Sequence, residues 1–196
     1  MEQSQNSKQT VNEEQILLLW SNDSDMISCY GNMVYRLAYA RLQNRHDADD
    51  IFQEVFLRYV RRAPMFESYE HGKAWFLRTT INCCKNLWMS AWHRKTTALA
   101  EVEEQPVYYE NEEAQMLAEA LASLPVKYRT VLHLYYYEGL TAEEISRIQQ
   151  IPAGTVRMQL SRGRAMLKDA LLKEQGEGGR ADAGLSETVS ETESEH

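Results

Sequence analysis

The chain has 196 residues, with 21 Lys and Arg against 29 Asp and Glu, and a formal net charge of −8. This length allows one medium domain or two small ones. No apolar run approaches the roughly 20 residues of a membrane span, and no signal peptide opens the chain, so we expect a cytoplasmic protein without membrane insertion. Cys29, Cys83 and Cys84 lack metal-ligand spacing, which predicts reduced thiols that serve as small buried apolar groups, and no metal or other cofactor.

Charge is distributed unevenly along the chain. Residues 30–95 carry a net charge of +5 and residues 123–173 carry +4, whereas residues 1–29, 96–122 and 174–196 carry −4, −7 and −6. Local basic patches attract nucleic acid even when the whole chain is acidic. The distribution therefore predicts two nucleic-acid-binding blocks between acidic segments.

The apolar periodicity is helical throughout and predicts an all-α protein of two small domains joined by an acidic flexible linker. The predicted boundaries are a disordered N-terminus over 1–12, a helical domain over 13–95, a linker over 96–113, a helical domain over 114–173 and a disordered acidic tail over 174–196. The tail is rich in Gly, Glu and Ser and cannot bury enough apolar surface to fold.

Three helices are predicted in the first domain. They cover residues 26–42, 48–62 and 74–94, with an aromatic and polar loop over 65–73. On the third helix we expect Leu77, Ile81, Cys84 and Trp88 to pack inward. Its polar residues and those of the loop supply cations, amides and aromatic rings, which single-stranded nucleic acid requires. These residues are Phe66, Tyr69, His71, Lys73, Arg78, Asn82, Lys85 and Asn86.

The second domain ends in a helix-turn-helix pattern. Thr141 and Glu144 form a capping box that opens a short helix over Ala142–Gln149, and Pro152 forbids its continuation. A second helix opens near Gly154, with Val156 and Leu160 on its apolar stripe. A basic face on that helix predicts contact with the major groove, and the alternative is a solvated cationic face on a helical hairpin. The basic face carries Arg157, Ser161, Arg164 and Lys168.

Three groups of residues resemble bacterial sigma factors. Residues 47–56 (DADDIFQEVF) resemble the helix with which these proteins bind core RNA polymerase. Residues 75–78 (WFLR), with Asn82, Lys85 and Asn86, resemble their promoter-melting helix. Residues 124–129 (LPVKYR), 138–141 (EGLT) and 154–157 (GTVR) resemble their second DNA-binding domain. With only two modules and a short linker, the chain is similar to the extracytoplasmic-function group.

The resemblance implies partners and site residues but no catalysis. Core polymerase would be bound by Asp50, Gln53 and Glu54, and the single-stranded −10 element by the loop and third-helix residues named above. The −35 duplex would be read by Thr155, Arg157, Gln159, Ser161, Arg162 and Arg164. An anti-sigma factor is a further implied partner. Part of the apolar segment 131–137 would dock the polymerase flap, unless it only completes the core of its domain.

Two other functions remain open at this point. One is a transcription regulator that binds duplex DNA without polymerase. The other is a helical metal-dependent phosphohydrolase that uses His46 and Asp47, although the remaining histidines lack ligand spacing. The family usually has Gly where this chain has Gln150, so a left-handed backbone there would cost about 1 kcal/mol relative to Gly.

Overall fold

The computed structural model describes the backbone of residues 23–94 and 111–181. Within those two ranges it contains seven helices and no strand, so the predicted all-α class is confirmed. They are α1 (Asp23–Leu42), α2 (Arg45–Arg62), α3 (Tyr69–Arg94), α4 (Glu112–Ser123), α5 (Val126–Tyr136), α6 (Ala142–Gln149) and α7 (Ala153–Ala181). No helix in the described ranges is both long enough and apolar enough to cross a membrane.

Helices α1, α2 and α3 pack together around an aromatic core. Tyr30 and Phe76 are fully buried, with ring centroids 4.7 Å apart. Asn44 caps α2 by accepting a hydrogen bond from the backbone N–H of Asp47, which satisfies a donor that the helix leaves unpaired. The three helices therefore form one module with its own core.

Helix α3 begins at Tyr69, five residues earlier than predicted. Ser68 accepts from the backbone N–H of His71, and this local bond opens the helix before the polar residues that suggested a loop. Gly72 permits the close approach of α3 to α1, since a Cβ atom there would lie 2.5 Å from the Tyr30 hydroxyl oxygen. Tyr69, His71 and Lys73 consequently lie in the first turns of α3.

Helices α4 to α7 form the second module. The capping box of Thr141 and Glu144 is present, and α6 has the predicted bounds. Val156 and Leu160 on α7 are buried, and Gly163 lets α7 pack closely on α5, where a Cβ atom would lie 3.2 Å from a Leu132 methyl carbon. The capping and stripe residues therefore produce the predicted helix-turn-helix.

Several expectations about individual side chains are wrong. Trp88 is 40% exposed, and Cys29 is also exposed, although Cys83 and Cys84 are buried. Trp88 lies near the end of α3, where its ring stacks beneath the Arg41 guanidinium and not within the core. Cys29 lies on the solvent side of α1, next to the buried Tyr30.

The structure describes only some of the predicted domain boundaries. The segments 1–12 and 182–196, and the linker residues up to 110, lie outside the described residues. Helix α4 begins at Glu112, inside the segment assigned to the linker, and α7 continues to Ala181, beyond residue 173.

Among the described residues, two pairs of helices make the most extensive contacts between the modules. Helix α1 packs against α5, and α3 packs against α6. The second pair brings the predicted single-strand-binding helix against the first helix of the helix-turn-helix.

Candidate nucleic-acid interfaces

The polar face of α2 is available to a partner. Asp50 and Gln53 are exposed, and Glu54 is partly exposed, with its Oε1 atom 2.6 Å from Nε of Arg58. These residues line a shallow cleft between α2 and α3 that also includes Asn86. Asn86, which the sequence grouped with the DNA-binding residues, thus lies beside the predicted polymerase-binding residues.

Of the predicted stacking residues, Phe66 is buried in the core and Tyr69 is partly buried against it. Phe66 is 7% exposed, and its ring centroid lies 5.8 Å from Trp75 and 6.0 Å from Phe76. The Tyr69 ring stacks on Tyr30 with centroids 5.3 Å apart. Burial of an aromatic ring removes a large apolar area from water and stabilises the module. Rings that pack in this way are not available to stack on a base.

Met65 was not singled out from the sequence, yet its side chain is 92% exposed. It follows Pro64 in the connection between α2 and α3, directly before the buried Phe66. Pro64 was the available signal, because a proline cannot continue a helix and therefore places Met65 in the connection between two helices. Met65 is therefore a further candidate for contact with an unstacked base.

The remaining polar residues of α3 divide into two sets. Asn82 and Lys85 are exposed on the outer surface of the helix. Lys73 and Arg78 instead contact the second module: Lys73 donates to the backbone carbonyl of Glu138 at 2.7 Å, and Arg78 donates to that of Arg147 at 3.0 Å. His71, Lys73 and Arg78 share one cleft with residues of α6.

Glu138 is the acidic partner in this contact. Burial raises the pKa of its carboxyl group, but His133 and Lys73 outweigh burial and lower the pKa below its usual value. Oε2 of Glu138 lies 3.4 Å from Nζ of Lys73, and Oε1 lies 3.6 Å from Nε2 of His133. The carboxylate therefore stays ionised between a cation and an imidazole.

Helix α7 presents the predicted −35 residues along one exposed face. Arg157, Ser161, Arg162 and Arg164 are exposed, whereas Thr155 and Gln159 are partly buried. Arg157 is paired with Glu143 of α6. A hydrogen bond from Arg162 lowers the pKa of the Tyr128 hydroxyl, which places Arg162 at the edge shared with α5.

The residues of the phosphohydrolase hypothesis are not assembled into a metal site. His46 is exposed, with Nδ1 3.7 Å from Oδ2 of Asp50, and the described residues contain no group of three His, Cys, Asp or Glu side chains with metal-binding geometry. A backbone hydrogen bond raises the pKa of His46, and the neighbouring Asp50 carboxylate raises it further. The geometry gives this hypothesis no support.

Comparison with known families places both modules. The family model "Sigma-70 region 2" matches residues 26–94, and "Sigma-70, region 4" matches residues 114–167. The chain is 33% identical over 164 residues to ECF RNA polymerase sigma factor SigE of Mycolicibacterium smegmatis, covering 78% of this chain and 63% of that relative. It is 29% identical over 164 residues to ECF RNA polymerase sigma factor SigW of Bacillus subtilis, covering 76% and 88%.

Solved structures show the same fold. The sigma factor RpoE, in complex with the anti-sigma factor NepR from Bartonella quintana, matches with a TM-score of 0.59 at 19% identity, covering 82% of this chain and 95% of that chain. CnrH in complex with the cytosolic domain of CnrY matches with a TM-score of 0.56 at 19% identity, covering 81% and 94%.

Proposed function

The chain belongs to the sigma-70 family, in its extracytoplasmic-function group, and on this premise we propose that it directs core RNA polymerase to specific promoters. In this role it binds core polymerase in the cytoplasm, opens the −10 element and initiates transcription. It supplies recognition, and polymerase supplies the chemistry. The main support is the presence of both modules, in family order, each with an exposed polar or basic face.

The first module is assigned two partners. Asp50, Gln53 and Glu54 bind core polymerase through the exposed polar face of α2. Asn82 and Lys85, with Lys73, Arg78 and His71 nearby, hold the single-stranded −10 element. Cations neutralise phosphates and amides reach base edges, so this face suits a single strand whose bases are unstacked. Met65 adds an exposed apolar side chain in the connection before α3.

The second module is assigned the −35 duplex. Arg157, Ser161, Arg162 and Arg164 are exposed on α7, and Thr155 and Gln159 lie at its edge. Helix α6 supports α7 from behind through buried Ile145 and Ile148, as the positioning helix of a helix-turn-helix does. The N-terminal half of α7 therefore enters the major groove.

The α5 helix and the residue after it are divided between buried and exposed side chains. Val131, Leu132 and Leu134 are buried in the core, whereas Tyr135, Tyr136 and Tyr137 are 40%, 58% and 61% exposed. Adjacent exposed tyrosines form a patch that suits a protein interface, because their rings bury large areas and their hydroxyls still find partners. This tyrosine patch is proposed to dock on the polymerase flap.

An anti-sigma factor is proposed as a further partner. Two structures that share this fold were solved as complexes with such regulators or their domains. An apolar cleft between the modules, lined by Tyr35, Tyr39, Leu121 and Tyr136 among others, offers a site of suitable character for a regulator.

A runoff transcription assay with core polymerase and a library of genomic promoters tests the proposal. The expected result is promoter-specific transcript only when chain and core are both present. A regulator that acts alone would instead bind duplex DNA tightly without core and would add no transcript from core polymerase. That outcome would replace the proposed function with the alternative one.

A further inference from the structure

One large apolar side chain lies on the solvent side of α7, within the segment assigned to the −35 duplex. Met158 is the sixth residue of that helix and is 43% exposed, and it is not among the polar residues assigned to DNA above. We propose that Met158 reads the C5-methyl group of a thymine in the −35 element. This inference rests on the proposed function and adds a specificity-determining residue to it.

Met158 lies on the side of α7 that faces away from the protein. Val156 and Leu160, two residues before it and two after it, are buried in the core. Two residues along an α-helix correspond to a rotation of about 200°, so Met158 leaves the helix on the side opposite to the core. Arg157 and Arg162 are exposed on either side of it. The thioether therefore lies between cations that a phosphate backbone attracts.

The neighbours of Met158 on this side of α7 are small. Gly154 lies four residues before it, and Ser161 and Ala165 lie three and seven residues after it, which are spacings that share one side of a helix. All three are exposed, and a Cβ atom at Gly154 would have open space around it. A DNA groove can therefore approach this side closely, and Met158 is the longest of the four side chains.

The position of Met158 along α7 favours contact with bases. In a helix-turn-helix, the residues near the start of the second helix contact base edges in the major groove. Met158 lies in the second turn of α7, directly after Arg157, whose guanidinium pairs with Glu143 of α6. That pairing holds Arg157 on the α6 side, beside the exposed thioether. Met158 is thus placed where a base edge would meet an apolar group.

The chemistry of a thioether selects among the four bases. Guanine, adenine and cytosine present hydrogen-bonding groups in the major groove, whereas thymine also presents a C5-methyl group. A thioether has no donor and is a weak acceptor, so a polar base edge covered by Met158 would lose water without gaining a partner. The thymine methyl instead gains from leaving water against a flexible, polarizable side chain. We therefore expect a preference for thymine, on either strand, at one base pair.

Removal of single methyl groups from the DNA tests this contact without any change in the protein. In a promoter that the holoenzyme transcribes, each thymine of the −35 element is replaced in turn by deoxyuridine, which differs only by the methyl group. Thymines of the spacer before the −10 element serve as controls. Competition against labelled promoter measures holoenzyme affinity. We expect about fourfold weaker binding at one −35 position and little change in the spacer. Equal affinities at all −35 positions would overturn the proposal.

Methionine variants of the full chain then assign the effect to one side chain. Met158→Ala should bind the thymine promoter about fourfold more weakly. It should show no further loss with deoxyuridine, because both changes remove the same contact. Met158→Leu stays apolar and should retain the thymine preference. A full deoxyuridine effect in the Met158→Ala holoenzyme would overturn the proposal.

Met166→Ala is the matched control. Met166 is 37% exposed on the same helix, eight residues and about 12 Å further from its start. Its loss should leave both promoter affinity and the deoxyuridine pattern as in the wild type. A loss of the deoxyuridine effect in Met166→Ala as well would overturn the assignment to Met158. Circular dichroism and thermal unfolding establish that all the variants fold.

A methyl group restored on another base supplies the reciprocal test. At the sensitive position, the thymine–adenine pair is replaced by a cytosine–guanine pair and by a 5-methylcytosine–guanine pair. These two promoters differ by one methyl group at the same place in the major groove. Wild-type holoenzyme should bind the methylated promoter about fourfold more tightly, whereas Met158→Ala should bind both equally. Equal binding of the two promoters by the wild type would overturn the methyl contact.

Contact of Met158 with a protein partner is the competing explanation. In that case Met158→Ala would weaken co-elution with core polymerase in the absence of DNA and would leave the deoxyuridine pattern unchanged, which would overturn the proposal. Failure of the proposed function is seen separately, as the absence of promoter-specific transcript in the runoff assay, and the thymine contact would fail with it. Promoter-specific transcript without a deoxyuridine effect that depends on Met158 would leave the sigma-factor role intact and remove only this inference.

Discussion

The backbone N–H of Gln150 donates to the carbonyl oxygen of Ser146, and this bond ends α6 with Gln150 in the left-handed region at φ 58° and ψ 43°. The hydroxyl of Ser146 in turn donates to the carbonyl oxygen of Ile151 at 2.6 Å, which fixes the chain on the far side of the turn. In the turn of the helix-turn-helix, Gln150 therefore adopts a left-handed backbone conformation that glycine favours and that a Cβ atom makes less stable.

Gln150→Gly is accordingly expected to stabilise the chain by about 1 kcal/mol, because glycine adopts the left-handed region without the steric penalty that a Cβ atom brings. The free energy of unfolding measured in urea checks this. Gln149→Gly, one residue earlier and inside α6, is the matched control and should destabilise by about 1 kcal/mol. Equal changes in the free energy of unfolding for Gln150→Gly and Gln149→Gly would show that the left-handed conformation at Gln150 costs no stability.

Changing Gln53 and Glu54 together to alanine should weaken binding to core polymerase by about tenfold, or ~1.4 kcal/mol. Both side chains lie on the solvent side of α2, and the surface ion pair of Glu54 with Arg58 contributes little to folding. Fluorescence anisotropy of labelled chain titrated with core measures the affinity.

The matched control for that double variant is Gln115→Ala with Glu119→Ala, which removes the same two residue types from the exposed face of α4. It should bind core as the wild type does. Unchanged core affinity in the α2 variant would show that α2 is not the polymerase-binding helix.

Arg164→Ala should reduce transcription from a cognate promoter, because an arginine on a base edge contributes about 1–3 kcal/mol of discrimination. Arg164→Lys separates the two kinds of contact: lysine retains a phosphate contact but loses the bidentate geometry that reads guanine. Arg157→Ala should have an additional structural effect, since Arg157 also pairs with Glu143.

Transcription measured over a series of salt concentrations, with the −35 sequence varied, distinguishes these contributions. Wild-type rates, promoter preference and salt dependence in both alanine variants would show that α7 does not enter the groove.

Glu138→Gln should lower the free energy of unfolding by about 1–2 kcal/mol at neutral pH, because it removes a carboxylate held between Lys73 and His133. The folded-state pKa of Glu138 is lower than that of an unfolded glutamate, about 4.3. Its ionisation therefore stabilises the fold above that pH, and the stabilisation is lost as the pH falls through the folded-state pKa.

Urea unfolding of the wild type and of Glu138→Gln at about pH 7 and about pH 3.5 measures this linkage. The difference in unfolding free energy should shrink at the lower pH. Glu119→Gln, on the exposed face of α4, should show little difference at either pH. A difference for Glu138→Gln that is constant with pH would mean that the carboxylate charge plays no part in the contact.

The sequence by itself determined the helical class, the two modules and the family. Helical periodicity and caps such as Thr141 with Glu144 depend on residues within one or two turns, so a short stretch of sequence is enough to recognise them. For this reason α6 has its predicted bounds. The same locality explains the exposed face of Arg157, Ser161 and Arg164, since residues three and four apart share a side of a helix.

Only the tertiary structure decided which predicted surface residues are available. Phe66 is buried in the core and Tyr69 packs partly buried against it, because rings beside Tyr30 and Phe76 gain from the removal of apolar surface from water. Lys73 and Glu138 met because α3 packs on α6, a contact between segments 65 residues apart that leaves no periodic signal in either. Local sequence patterns determine which side chains share a face of a helix, whereas long-range packing determines which of those side chains remain exposed.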